Sequence, residues 1–118
     1  MKLITGLTDQ PNQQSTIILP DGTGVTLMLN YVPQQAGWFY TVTWQGQAQP
    51  FEVDGVRLVS SPNILRIWRK LLTFGIAVVT VANVEPSGAS TFIDGTTALY
   101  LLDADEVAEI EAAVFPGL

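Results

Sequence analysis

Glu52 and Asp54 stand two positions apart in a short β-branched run. Strand side chains alternate sides, so the two carboxylates share one face of any strand there. Paired carboxylates are the equipment of a glycosidase, which holds them about 5–5.5 Å apart in a sugar-sized cleft when it retains configuration. Nothing around this pair suggests such a cleft, and two solvated acids account for it. Beyond them the catalytic inventory is thin. The chain has no histidine and no cysteine, which removes the commonest general base, the thiol nucleophile and the usual zinc sites. The acidic run Asp103–Glu109 lacks the glycine of an oxygen-rich calcium loop. Gly22-Thr23-Gly24 has neither the lysine nor the following helix of a phosphate loop. The expectation is a chain that is not an enzyme and uses no cofactor or metal.

A second constellation is aromatic. Trp38, Tyr40 and Trp44 fall on one side of an alternating run and form either a core face or a platform for stacking sugars or bases. A base platform needs a basic groove, and no Lys or Arg occurs between Asp21 and Phe51. The formal net charge of −6 likewise opposes a general nucleic-acid binder. A sugar platform is untouched by that argument, so a carbohydrate-binding module remains the alternative to a buried face.

These rings belong to the stretch Val25–Trp44, two alternating runs around Pro33 and Gly37. The pattern predicts a β-hairpin. Val25, Leu27, Leu29 and Tyr31 share one face of the first strand, and Trp38, Tyr40, Val42 and Trp44 one face of the second. The other face carries Met28, Asn30, Phe39 and Thr41, the first place to seek a neighbouring subunit. Around the hairpin the reading predicts a strand over Lys2–Leu7, a loop over Thr8–Ser15, and a β-branched run Thr16–Leu19. Turns follow at Asp21–Gly24 and Gly46, with short strands Phe51–Val53 and Val56–Val59 about a turn at Asp54-Gly55. Ser61 and Pro62 resemble a helix start, and Ile64, Leu65, Ile67, Trp68, Leu71 and Leu72 fall at helical spacing. Gly75–Val84 and Thr97–Leu102 read as strands. An acidic helix over Asp103–Phe115 opens on a capping box of Asp103 and Glu106 and stops at Pro116-Gly117.

The sum is a single mainly β (α+β) domain over 1–118. We expect an antiparallel curled sheet or small barrel of about seven strands, one internal helix and a C-terminal helix. Apolar residues are 47% of the chain and charged ones only 14%, below the usual ~25%. So few charges leave apolar surface for an assembly to cover. The charges are also segregated: Arg57, Arg66, Arg69 and Lys70 lie together, and Asp103, Asp105, Glu106, Glu109 and Glu111 crowd the last helix. Arg66, Arg69 and Lys70 against Asp105 and Glu109 would suit contacts between copies. No signal or membrane span is legible, and the expectation is a soluble chain made in the cytoplasm.

The order of these features resembles the small baseplate plug proteins of contractile-tailed bacteriophages, including those of cyanophages. The likeness rests on IILP at Ile17–Pro20, LMLNY at Leu27–Tyr31, GWFYTVTW at Gly37–Trp44 and GVRLVSSPNIL at Gly55–Leu65. FGIAVV at Phe74–Val79 and ALYLL at Ala98–Leu102 complete it. The acidic helix extends beyond that family's usual Leu-Tyr end. The resemblance implies a structural virion protein that plugs or lines the tip of the tail tube. Its expected partners are further copies of itself, ringed about the tail axis, and the hub, spike and tail-tube proteins. It implies no specific nucleic-acid binding and no membrane insertion.

Overall fold

In a computed structural model, residues 2–20, 22–45, 50–68, 71–81, 86 and 88–114 are described. The central hairpin forms as its alternation dictates. β3 (Gly24–Val32) and β4 (Gly37–Gln45) pair antiparallel, with Val25 opposite Trp44, Leu27 opposite Val42, Leu29 opposite Tyr40 and Tyr31 opposite Trp38. The connection is a 3-10 turn, Pro33–Gln35, whose first position suits the fixed φ of proline. It closes on Ala36, with φ 48° and its N–H donating to the Pro33 carbonyl at 3.1 Å.

This hairpin is the middle of a four-stranded antiparallel sheet, ordered β2-β3-β4-β5, with β2 at Asn12–Ile18 and β5 at Pro50–Arg57. A second antiparallel sheet is ordered β1-β7-β6, from Lys2–Leu3, Thr97–Leu102 and Gly75–Thr80. The larger sheet turns Val25, Leu27, Leu29, Trp38, Tyr40, Val42 and Trp44 into a core that the smaller sheet completes with Ile76, Val78, Leu99 and Leu101. Burying each such side chain contributes about 1.5–3 kcal/mol. Edge-to-face ring pairs, Trp38 with Phe92 at 4.9 Å and Trp44 with Phe74 at 5.4 Å, fix how the pieces meet.

The mainly β class, the antiparallel pairing, the strand number and the C-terminal helix are as the sequence predicts. Of the two architectures expected, no closed barrel forms among the described residues; their strands divide into two sheets. The first strand is shorter than Lys2–Leu7. Conversely, the polar stretch Thr8–Ser15 is not all loop, because β2 begins at Asn12. Gln13 closes the loop before it: its side-chain oxygen accepts the Thr8 N–H at 2.8 Å and its amide donates to the Thr8 and Gln10 carbonyls.

β5 merges the two short strands expected on either side of Asp54-Gly55. Between the pairs Val42–Val53 and Tyr40–Val56 the register shifts, leaving Asp54 and Gly55 opposite Thr41 alone. Val53 and Val56 both face inward yet lie three positions apart, which strict alternation forbids. One extra residue resolves the conflict, and Gly55 takes it at φ 66°.

The predicted internal helix is the main correction. From Ser61 the chain instead runs beside β6: Ser61 bridges Val78, and the Ile64 N–H donates to the Ile76 carbonyl at 2.8 Å. Only a 3-10 turn at Arg66–Trp68 follows among the described residues. The apolar stripe therefore divides. Leu65 is buried, Ile64, Trp68 and Leu72 flank the core, and Ile67 and Leu71 are 74% and 59% exposed.

α1 spans Ala104–Val114 and opens on the expected capping box. The Glu106 N–H donates to Asp103 Oδ1 at 2.8 Å, and the Asp103 N–H donates to Glu106 Oε1 at 3.2 Å. The predicted turn at Gly46, the end of the strand at 82–84, Phe115 and the Pro116-Gly117 stop lie outside the described residues.

Candidate functional site

The aromatic face is core. Trp38, Tyr40 and Trp44 are 0%, 2% and 5% exposed. The Trp38 indole N–H donates to the Gly88 carbonyl at 3.0 Å, and that of Trp44 to the Thr23 hydroxyl at 2.9 Å. Burial raises the Tyr40 hydroxyl pKa to about 12. These rings offer no stacking surface, which corrects the alternative reading of an exposed sugar-binding face.

The carboxylate pair keeps the shared side expected of it but gains no cleft. Glu52 stands opposite Thr43, and Asp54 sits at the bulge, where the Thr41 hydroxyl donates to its Oδ1 at 2.6 Å. Both residues are exposed at the β5 edge. A carboxylate hydrogen-bonded beside open solvent has no cleft wall to orient a sugar.

The four predicted interface positions on the hairpin do come together. Met28 lies directly opposite Thr41, and Asn30 opposite Phe39. Two neighbouring cross-strand pairs thus occupy the outer face of the larger sheet. Thr41 is buried, Asn30 and Phe39 are half-buried, and Met28 is exposed. The patch continues onto β2, where Gln14 is opposite Met28 and Asn12 opposite Asn30, and along the row Thr16–Thr26–Thr43. Across β2, β3 and β4 this face carries no charged residue.

Charge borders it along β5, where Glu52 stands opposite Thr43, Asp54 accepts from Thr41 and Arg57 stands opposite Phe39. The Arg57 guanidinium lies 5.7 Å from the Phe39 ring centre and donates to the Gln35 and Ala36 carbonyls. A Cβ at Gly37 would come within 2.7 Å of that guanidinium, so glycine is what lets Arg57 cross the start of β4.

The predicted charged contacts are elsewhere. Arg66 Nε pairs with Glu111 Oε1 at 2.9 Å, both half-buried, so this basic–acidic contact forms within one chain and ties the 3-10 turn to α1. Asp105 and Glu109 are exposed on α1. Arg69 and Lys70 lie outside the described residues.

Two clefts were not legible in the sequence, because each joins segments distant along it. One, of about 620 Å³, has an apolar floor of Leu19, Phe74, Leu101 and Leu102 and the start of α1 at its rim. The other, of about 370 Å³, separates β1 from Ser15–Ile18 of β2. No helix among the described residues is long and apolar enough to cross a membrane. No family model matches the chain, and no curated protein matches it.

Proposed function

We propose that this chain is a structural virion protein of a contractile phage tail, a baseplate plug that closes or lines the tube tip. It joins tube to hub and spike by association with further copies and with those neighbours. The observation that supports this reading is the uncharged outer face centred on Met28, Asn30, Phe39 and Thr41. In a chain of net charge −6, a sheet face without charge across three strands suits burial against protein better than exposure to water. The ordered landmarks from Ile17 to Leu102 direct that reading to the plug family. An acidic balance also suits a lumen through which DNA slides, since like charge disfavours sticking.

The test is made on the phage that encodes the chain. Purified tails are expected to contain it, with density at the tube tip, and virions lacking it are expected to lose normal tails. Intact, infectious tails assembled without it, together with its absence from purified particles, would sink the reading.

A further inference from the structure

β2 is a bare edge. The Tyr31 N–H donates to the Pro11 carbonyl and the Leu19 N–H to the Thr23 carbonyl, both in step with the β2–β3 register. Antiparallel pairs alternate between bonded and non-bonded, so the odd-numbered residues of β2 bond to β3. The N–H and C=O groups of Asn12, Gln14, Thr16 and Ile18 therefore point away from the sheet, and no described residue bonds them.

The other three edges are protected. β1 has two residues. β6 is covered by Ser61–Ile64 through the bonds to Val78 and Ile76. β5 is interrupted by its bulge and carries Pro50, Glu52, Asp54 and Arg57. Charges, proline, bulges and short length are the devices that stop an edge from recruiting another strand. Asn12–Ile18 has no charge, proline or bulge over seven residues.

We propose that β2 pairs antiparallel with β2 of a second copy, across a twofold axis at Ser15, joining the two larger sheets into one. In that register Gln14 stands opposite Thr16 of the partner copy, and Asn12 opposite its Ile18. Every outward N–H then meets an outward C=O, which no arrangement centred between residues achieves. The seam is neutral on both sides, so the net charge of each chain sets no like charges directly opposite. The partner's Asn12–Ser15 would lie along the 370 Å³ cleft beside Ser15–Ile18, whose other wall is Lys2–Thr5. The pairing also extends the uncharged outer face across both copies. A twofold contact closes on two copies, so it gives a dimer and a ring about the tail axis needs a further contact; the pairing rests on the reading above only for the role it serves.

The test uses the purified full chain. Light scattering is expected to show a dimer that dissociates on dilution. In the concentrated sample the amides of Asn12, Gln14, Thr16 and Ile18 should exchange about tenfold or more slowly than in the dilute one, while those of Gln13, Ser15 and Ile17 stay unchanged. Gln14→Pro removes an N–H that β3 does not use, and Thr16→Lys adds charge at an exposed position. Either folded variant is expected to be monomeric, with unaltered circular dichroism. A chain monomeric at every concentration would overturn the proposal. So would an oligomer that survives both substitutions, or one whose β2 amides show no alternation. Because tails test the baseplate reading and the free chain tests this one, either can fail alone.

Discussion

The buried side-chain oxygen of Asn63 accepts the backbone N–H of Ile76 at 3.2 Å, clamping the segment after Ser61 to the start of β6. The same oxygen accepts the Leu65 N–H at 3.0 Å. One carboxamide thus satisfies two buried donors and holds the chain out of the helix its apolar spacing suggests. Asn63→Ala orphans both donors. At about 1–3 kcal/mol for each unsatisfied group, the expected loss is about 2–6 kcal/mol, read as a lower urea midpoint with unchanged slope.

That clamp shows where sequence reasoning stops. The hairpin was legible because its apolar residues repeat every second position on both strands and its connection carries proline. The α1 start was legible because a capping box is local, within four residues. The Asn63 clamp depends on a partner thirteen residues away, and a helical stripe reads the same whether its last residues face core or solvent. Only the first half of β2, Asn12–Ser15, was hidden, since Thr16–Leu19 reads as a β-branched run, and the reason is different. An edge strand with one polar face and a core face of Gln13, Ser15 and Ile17 shows little hydrophobic alternation. Of the candidate interface, the Met28–Thr41 and Asn30–Phe39 pairs followed from hairpin register, whereas the Arg66–Glu111 pairing depended on where α1 docks.

The bulge at Asp54-Gly55 makes a separable prediction. Gly55 has φ 66°, and a Cβ there would meet nothing within 4 Å, so any penalty is backbone strain alone. Gly55→Ala is expected to cost about 1–2 kcal/mol, and Gly55→Asn less, because asparagine tolerates the left-handed region better. Thermal melts of the two variants side by side measure the difference. Equal losses would mean that the space, not the torsion, is restricted.

The helix cap should act locally. Asp103→Ala removes the acceptor of the Glu106 N–H and is expected to cost about 1 kcal/mol. Residues 107–111 should then exchange their amides faster than the core strands β3 and β4. Glu111→Gln weakens the ion pair to Arg66 and should loosen the same helix, an effect that added salt reproduces in the parent chain.

Alkaline unfolding carries the signature of Tyr40. Its folded pKa is raised to about 12 from an ordinary value of 10.0, because burial disfavours the phenolate. A pKa raised in the folded state means that the stabilisation is fully present below pH 10 and is lost as pH climbs through about 12. Stability should therefore fall across that window as the unfolded chain ionises first. In Tyr40→Phe the ring stays in place and only the long hydroxyl contact to the Ile64 carbonyl, 3.4 Å, is lost. The variant is expected to lie within about 1 kcal/mol of the parent at neutral pH and to decline less steeply between pH 10 and 12. Urea midpoints at stepped pH, taken as the difference between the two chains, cancel the other tyrosines and the lysines. Parallel curves would show that Tyr40 ionises no later in the folded chain than in the unfolded one.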